Sequence, residues 1–270
     1  MTAGSSTPSD DGPVRLVVVA DSTAFTDATG PQLPTHPDLY PNVVAERLRH
    51  DLGRDVEVVV VARAGHTVRE AVRTVTKDRH VQFDVLAAAD AVVVGVGSFD
   101  HAPFGIPPSV EAVLPFLRPT ALRRRVRTGL RAAYPQVVRL TGGRRPRTPT
   151  AEFDRLFGML LEHIRGLTWG RAAGVVVGPT SHRSDYYGQL HPGHASSESR
   201  QLSAARAHGF AAVASWPLVT PHVGDLNPDG IHWPAAAHRD VGEAVAAALL
   251  PQLRKEAPTI GLPRSAAPSG

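Results

Sequence analysis

Three residues near opposite ends of the chain have the types and spacing needed for nucleophilic acyl chemistry. Ser22 comes almost directly after the apolar run 16–20, so its hydroxyl is expected where a strand ends. Asp229 lies three residues before His232, and one turn can hold both side chains. Such an aspartate fixes the tautomer of the imidazole, whose other ring nitrogen then takes the serine proton. Taken singly, an Asp-Ser pair is often a helix cap and an Asp-x-x-His turn is often structural.

The composition limits the chemistry that the chain can perform. Cysteine is absent from the 270 residues, which excludes disulfides, Cys-ligated zinc, iron–sulfur clusters and thiol nucleophiles. No apolar run approaches the roughly 18 residues that a membrane span requires. The N-terminal sequence MTAGSSTPSDDGP carries two aspartates and no basic residue, unlike a signal peptide. We therefore expect a cytoplasmic protein without a membrane span, in which any covalent catalysis uses oxygen or nitrogen.

Arginine supplies nearly all of the positive charge, because Lys77 and Lys255 are the only lysines. The net charge of +4 would suit nucleic-acid binding only if it were clustered, and codon bias explains most of the arginines, so no nucleic-acid partner is expected. One segment between residues 112 and 151 lacks acidic residues and contains Arg118, Arg123, Arg124, Arg125, Arg127, Arg131, Arg139, Arg144, Arg145 and Arg147. This segment predicts either an anion site or a solvated or oligomer-facing surface.

The elements that must position these residues alternate between strand and helix. Short β-branched runs at 16–19, 56–61, 91–94 and 175–177, with a weaker one at 210–214, are continuous, as expected for strands covered on both faces. Helical spacing of apolar residues occurs at 44–52, 68–75, 153–164 and 241–249, and Thr67 with Glu70 forms a capping box before the second helix. The alternation predicts a doubly wound α/β sheet that binds ligands beyond the carboxyl ends of its strands.

The domain organisation follows from composition. Residues 13–253 are expected to form one α/β domain between flexible ends at 1–12 and 254–270. A Pro- and Arg-rich stretch at about 103–149 interrupts the alternation and lacks a strand signal. We expect this stretch to form a helical insertion over the carboxyl edge of the sheet, where it is a candidate lid.

Four sequence blocks together resemble the SGNH or GDSL hydrolase family over residues 14–250. The blocks are Ala20-Asp21-Ser22, with Ala in place of the usual Gly, then Ala64-Gly65, then Gly97-Ser98-Phe99-Asp100, and finally the segment 229–232. The resemblance implies a flavodoxin-like three-layer sandwich with a mainly parallel five-stranded sheet. It also implies that Ser22 is the nucleophile, that His232 is the general base and then acid, and that Asp229 orients His232.

The oxyanion hole implied by this resemblance has one departure from the family pattern. The backbone N–H groups of Ser22 and Gly65 are expected to face the oxyanion. The third block normally supplies an asparagine amide, but Phe99 stands at that position and cannot donate a hydrogen bond. Losing one such donor typically costs about 100- to 1000-fold in rate. Either Ser98 or a backbone N–H replaces the asparagine, or the acyl donor is activated, as a thioester would be.

Longer segments resemble a narrower group, the diglucosylglycerate octanoyltransferases. They are 30–48, 97–103, 117–135, 148–155, 180–196 and 227–238. This resemblance implies transfer of an octanoyl group from its coenzyme A thioester to a glucosylglycerate that primes cytoplasmic methylglucose lipopolysaccharide synthesis. Acyl-coenzyme A is then a co-substrate, and no cofactor is expected. The oligomeric state is left open.

Substrate-binding candidates come from three places in the sequence. The segment 180–194 is dense in polar and aromatic side chains, as sugar recognition requires, although an ordinary loop can share this composition. The arginine-rich insertion suits coenzyme A phosphates or a glycerate carboxylate. The predicted contacts are Asp100 of the third block, Arg124 of the insertion, and His182, Tyr186, Tyr187 and His191 of the polar segment. The histidines at 182, 191 and 194 lie among turn residues, so no metal site is predicted.

Two other readings of the sequence remain open. An SGNH esterase that hydrolyses carbohydrate or lipid esters would use the same triad, with water as the acceptor. A catalytically inactive protein could use the cleft to hold an acylated glycan, with Phe99 as the sign of lost activity, although all three triad residue types are retained.

Overall fold

The computed structural model describes residues 12–106, 110 and 113–255. The predicted flexible ends at 1–12 and 254–270 lie outside the described residues, apart from Gly12, Arg254 and Lys255. Arg254 and Lys255 belong to the last helix, so the prediction of a tail from residue 254 was wrong for these two residues.

A five-stranded parallel sheet forms the middle layer. Its strands are β1 (Val14–Ala20), β2 (Val56–Ala62), β3 (Ala91–Gly95), β4 (Ala173–Val177) and β5 (Ala211–Val213). The strand order is β2-β1-β3-β4-β5, with every neighbouring pair parallel. Each predicted run is a strand, and β1 lies inside the sheet, so the residue that follows it emerges at the carboxyl edge. The α/β class and the five-stranded sheet are therefore confirmed.

Helices cover both faces of the sheet. They are α1 (Tyr40–Leu52), α2 (Val68–Lys77), α3 (Ser98–His101), α4 (Thr120–Leu140), α5 (Thr150–Leu167), α6 (His194–Ala207), α7 (Trp216–Val219) and α8 (Ala235–Lys255). Shorter turns of helix occupy Ser22–Ala24, Val81–Val85, Leu86–Ala88, Leu114–Phe116, Asp185–Tyr187 and Thr220–Asp225, and a two-residue ladder pairs Thr26–Asp27 with Gly30–Pro31. The capping box between Thr67 and Glu70 starts α2 as predicted.

The two faces of the sheet have separate cores. Side chains of a strand alternate between faces, and in β1 Leu16 and Val18 join a core with α1 and α8, whereas Val17 and Val19 join a core with α2 and α5. All four side chains are fully buried. Burial on both faces explains why the sequence of this strand is continuously apolar from Leu16 to Ala20. The result is a three-layer sandwich.

The segment 103–149 is rooted beside the carboxyl edge by a narrow backbone bridge. The backbone N–H of Phe104 donates to Arg145, and that of Arg147 donates to Ala102. The guanidinium of Arg147 lies 4.4 Å from the ring centre of Phe99 and 4.9 Å from that of Phe104. Between these roots lies α4, so the predicted helical insertion is present. Among the described residues, no helix has the length and apolar character needed to cross a membrane.

Candidate active site

The structure brings the three predicted triad residues together across 210 positions of sequence. Nε2 of His232 lies 2.9 Å from Oγ of Ser22, and Nδ1 of His232 lies 2.6 Å from Oδ2 of Asp229. Hydrogen-bond distances of this kind form a continuous chain from hydroxyl to carboxylate. The arrangement can remove a proton from the serine as its oxygen attacks a carbonyl carbon.

The end of β1 fixes the serine. Asp21 caps a single helical turn at Ser22–Ala24, and its buried carboxylate accepts hydrogen bonds from the backbone N–H and the hydroxyl of Thr23. The backbone N–H of Asp21 donates to Gly95 at the end of the neighbouring strand β3. Burial raises the pKa of Asp21, and the hydrogen bonds from Thr23 oppose this effect. Asp21 therefore holds the turn that presents Ser22.

A tight turn before α8 fixes the aspartate and histidine. Gly230 has a φ of +72°, and a Cβ at this position would lie 2.4 Å from the carbonyl oxygen of Arg183, so a side chain is excluded. Oδ1 of Asp229 accepts hydrogen bonds from the backbone N–H groups of Ile231 and His232. The turn thus aligns the carboxylate with the ring that it must orient.

The electrostatics of the pair favour an ionised aspartate. Partial burial acts to raise the pKa of Asp229, but the hydrogen bonds from the His232 ring and from the backbone of Ile231 and His232 outweigh it and hold the pKa below its ordinary value. The carboxylate can then stabilise an imidazolium that forms when His232 takes a proton.

The predicted oxyanion residues lie around the same cleft. Ser22, Gly65, Ser98 and Phe99 all line it. The backbone N–H groups of Ser22 and Gly65 donate no hydrogen bond to any residue that the structure describes. Oγ of Ser98 accepts a hydrogen bond of 3.1 Å from the backbone N–H of Thr180. Gly65 has a φ of +65°, and a Cβ there would lie 3.2 Å from the Phe99 ring, so the phenyl group packs where other side chains at position 65 would crowd it.

The cleft has a volume of about 540 Å³, and part of its wall contains buried polar atoms without protein partners. These atoms are Oγ1 of Thr180 and Nε2 of His182. Burial, together with the nearby charges of His194 and Arg183, lowers the pKa of His182 to about 4, so the ring is neutral near pH 7. Its Nδ1 accepts a hydrogen bond from the backbone N–H of Ser184, which leaves the proton on Nε2. The wall therefore carries a spare donor.

The remaining predicted substrate contacts do not all reach the cleft. Tyr187 lines it, whereas Tyr186 lines a neighbouring cavity in the insertion. His191 stacks on His182 with ring centres 4.8 Å apart and hydrogen-bonds the backbone carbonyl of His101. Burial, followed by the charges of His182 and His194, lowers the pKa of His191 to about 3. His191 thus packs against His182 and helps to hold its ring in place.

Two predicted contacts are corrected by the structure. Asp100 is fully buried and accepts hydrogen bonds from the backbone N–H of Val68 and the hydroxyl of Thr148, so it joins α2 to the end of the insertion and does not face the cleft. Burial raises the pKa of Asp100 to about 6 against the effect of these hydrogen bonds. Arg124 is exposed on α4 and lines neither cavity, whereas its neighbours Arg123 and Arg127 line the cavity in the insertion.

Some residues of the site escaped the sequence analysis. His66 is buried, and its Nδ1 hydrogen-bonds the carbonyl of Ala20, which ties the loop of Gly65 to the end of β1. Its place directly after Gly65 in the second block was the available signal. Thr180 begins the polar segment 180–194 but was not among the predicted contacts, because its unpartnered hydroxyl emerges only from the packing. Among the described residues, no cluster of acidic and histidine side chains has the geometry of a metal site.

Comparisons with known proteins find relatives of this chain. Two proteins named diglucosylglycerate octanoyltransferase are similar in sequence. The one from Mycolicibacterium hassiacum is 31% identical over 239 residues, covering 87% of this chain and 94% of that protein. The one from Mycobacterium tuberculosis is 30% identical over 239 residues, covering 87% and 91%. No family model matches the chain.

Solved structures with the same fold are hydrolases. A lipase/acylhydrolase from Enterococcus faecalis has a TM-score of 0.54 at 13% identity and covers 87% of this chain and 94% of its own. A carbohydrate acetylesterase family member from Sinorhizobium meliloti has a TM-score of 0.56 at 16% identity and covers 89% and 99%. At these identities the likeness establishes the fold, which is that of the SGNH/GDSL hydrolases.

Proposed function

The chain belongs to the diglucosylglycerate octanoyltransferase family, and from this premise we propose that it transfers an octanoyl group from coenzyme A to a glucosylglycerate-type acceptor through an acyl-serine. The observation that carries the proposal is the hydrogen-bonded chain from Ser22 through His232 to Asp229, with distances of 2.9 Å and 2.6 Å. The reaction needs no cofactor beyond the acyl donor. Its setting is the cytoplasm, where the product would prime methylglucose lipopolysaccharide synthesis.

The first half of the reaction forms the acyl-enzyme. Nε2 of His232 takes the proton of Ser22 as Oγ attacks the thioester carbonyl carbon. When the tetrahedral intermediate collapses, the carbon–sulfur bond breaks and His232 returns the proton to the sulfur. Coenzyme A leaves as the free thiol, and octanoyl-Ser22 remains. Asp229 stabilises the imidazolium at both stages.

The second half transfers the acyl group to the sugar. His232 removes the proton from an acceptor hydroxyl, whose oxygen attacks the ester carbonyl of octanoyl-Ser22. Collapse of this intermediate breaks the bond to Oγ and returns the proton to Ser22. The enzyme is regenerated, and the sugar carries an octanoyl ester.

The unusual oxyanion hole fits a thioester donor. Backbone N–H groups of Ser22 and Gly65 supply two donors, and the Ser98 hydroxyl supplies a third in place of the missing asparagine. Phe99 closes the wall beside Gly65. A thioester carbonyl is more electrophilic than an ester carbonyl, so its attack tolerates a single hydroxyl donor in place of the asparagine amide.

The wall of Thr180 and His182 supports acceptor binding. Both residues line the cleft, and both have a buried polar atom without a protein partner. A hydroxylated sugar offers donors and acceptors to both. The acceptor must compete with water at about 55 M, so at roughly millimolar sugar it needs an advantage of about 10⁵, or near 7 kcal/mol, which orientation in a closed site can supply. We assign the insertion the role of a lid that excludes water.

Product analysis tests this function. Purified protein is incubated with octanoyl-coenzyme A and a glucosylglycerate acceptor, and octanoylated sugar and free octanoate are quantified by mass spectrometry. We expect the sugar ester to dominate and coenzyme A release to accelerate when the acceptor is added. Free octanoate as the main product at saturating acceptor would make the protein an esterase or thioesterase. No consumption of the thioester or of simple octanoyl esters would support the inactive, glycan-binding alternative.

A further inference from the structure

A second cavity of about 430 Å³ lies within the insertion. The small core of the insertion lines part of this cavity and part of the catalytic cleft. The residues that matter for its chemistry are Arg123, Arg127, Arg131, Ile106, Leu130 and Tyr186. The cavity therefore combines positive charge with an apolar and aromatic surface.

The three arginines form one row along α4. They are spaced four residues apart, and at 1.5 Å per residue the row is about 12 Å long. Arg123 donates a hydrogen bond to the carbonyl of Pro115, whereas Arg127 and Arg131 make neither a hydrogen bond nor an ion pair with any residue that the structure describes. Like charges at this spacing destabilise a helix. A row of this kind is relieved by a ligand that carries several negative charges.

The rest of the cavity suits the uncharged part of such a ligand. Ile106 and Leu130 belong to or pack against the small core of the insertion. The ring of Tyr186 stacks on Tyr134 with centres 4.3 Å apart and planes at 11°, so it is held in a fixed orientation. A fixed aromatic ring offers a stacking surface to a planar group such as a nucleobase. Guanidinium groups match the geometry of phosphate oxygens.

The small core of the insertion contributes residues to the lining of both cavities. The core of the insertion includes Ala102 and Tyr187, which line the catalytic cleft, and Ile106, which lines the arginine cavity. Tyr186 and Tyr187 are consecutive, with ring centres 5.1 Å apart, and each faces a different cavity. A ligand with a charged end and a long flexible arm can thus occupy both.

We propose that the arginine cavity binds the phosphorylated nucleotide end of the acyl-coenzyme A donor. The pantetheine arm then reaches past the small core of the insertion and places the thioester at Ser22. This inference rests on the function proposed above. A glycerate carboxylate presents one anionic group and fills one guanidinium fork. The diphosphate and 3′-phosphate of coenzyme A match a row of arginines, and its adenine matches the aromatic surface.

Steady-state kinetics with truncated donors test the site. In the double variant Arg127→Gln/Arg131→Gln, we expect KM for octanoyl-coenzyme A to rise roughly 10- to 100-fold, because charge-assisted hydrogen bonds to phosphate are lost. KM for the sugar acceptor and for octanoyl-pantetheine, which lacks the nucleotide, should change less than about twofold. The matched control is Arg118→Gln/Arg125→Gln, which removes the same charge from exposed positions of the segment that line neither cavity. It should behave as the wild type does.

The outcomes separate this inference from the proposed function. An unchanged KM for octanoyl-coenzyme A, or an equal rise in the control variant, would overturn the arginine site and leave the proposed transfer intact. A rise in KM for the acceptor alone would assign the arginines to the glycerate and also overturn the inference. If the wild type does not react with octanoyl-coenzyme A, the proposed function fails. Calorimetric binding of coenzyme A to the wild type and to the double variant then decides the site directly, with weaker binding by the variant expected.

Discussion

Two groups of polar side chains in the catalytic cleft differ in how their polar atoms are satisfied. In the triad, Ser22, His232 and Asp229 are hydrogen-bonded to one another. In the wall formed by Thr180 and His182, the Thr180 hydroxyl and Nε2 of His182 are buried and have no protein partner. The difference supports the proposal that the triad is complete before substrate arrives, whereas the wall of Thr180 and His182 is completed by the substrate.

This difference has an energetic consequence. Leaving a buried donor or acceptor unsatisfied costs about 1–3 kcal/mol, and a ligand that supplies the missing partner recovers that free energy. Water can also hydrogen-bond to the Thr180 hydroxyl and to Nε2 of His182, but it is less oriented than a bound sugar. We therefore expect changes at the triad to reduce both transfer and hydrolysis, and changes at the wall to shift the balance between them.

The largest effect that we predict is the loss of activity when Asp229 of the triad is changed. In Asp229→Asn the backbone hydrogen bonds to the side-chain oxygen can persist, but the negative charge beside Nδ1 of His232 is lost. We expect kcat/KM for octanoyl-coenzyme A to fall about 100- to 10,000-fold, because the imidazolium is no longer stabilised and its tautomer is no longer fixed. Initial rates of coenzyme A release measure the effect.

The matched control for this change is Asp225→Asn, an exposed aspartate in the preceding turn. It should leave the rate within about twofold of the wild type. A loss of less than about tenfold in Asp229→Asn at pH 7 would remove Asp229 from the triad.

We expect an intermediate effect when His182 is changed. His182→Phe keeps an aromatic ring that can stack but removes the Nε2 donor, whereas His182→Gln keeps a donor. We expect His182→Phe to lower the ratio of sugar ester to free octanoate about 10- to 100-fold, as the loss of one hydrogen bond to the acceptor predicts. His182→Gln should recover part of this ratio, and both should form the acyl-enzyme at a near-normal rate.

Equal ratios in the two variants would show that His182 contributes packing and not a hydrogen bond. A parallel loss of acyl-enzyme formation in both variants would show that His182 acts in the same step as the triad. Its role would then not differ from that of the triad residues.

The smallest effect that we predict is on the pH dependence of stability, and it comes from His191. The pKa of His191 is lowered from 6.5 to about 3, so between these values the unfolded chain binds a proton that the folded chain does not. The free energy of unfolding must then fall as the pH drops below 6.5. Between pH 7 and pH 5, His191→Gln should lose up to about 2 kcal/mol less stability than the wild type in urea titrations. Equal losses would mean that this ring does not titrate as its burial implies.

The sheet was predictable from the sequence because its inner strands are buried on both faces. Runs such as 16–19 and 91–94 are continuously apolar, and each is part of a strand. The helix α6 was not predicted, because its buried face is formed partly by Ser197 and Gln201, which carry no apolar period. The local pattern gave no sign that Gln201 hydrogen-bonds the carbonyl of Val96.

The site was predictable where spacing along the chain dictates geometry and not elsewhere. Asp229 and His232 share a turn, and Ser22 follows a strand, so two short motifs specify the triad. Asp100 was misassigned because a carboxylate beside a catalytic block also serves to join two segments, here through Val68 and Thr148. The arginines of α4 that line the cavity could not be distinguished from Arg124 without the orientation of the helix.

Trapping the acyl-enzyme decides whether Ser22 is the nucleophile. Wild-type protein and Ser22→Ala are incubated with octanoyl-coenzyme A without acceptor, quenched in acid, and analysed by intact mass and peptide mapping. We expect the wild type to gain one octanoyl group on Ser22 and Ser22→Ala to gain none. An octanoyl adduct of equal yield in Ser22→Ala, or transfer to the sugar at the wild-type rate by that variant, would contradict this role of Ser22.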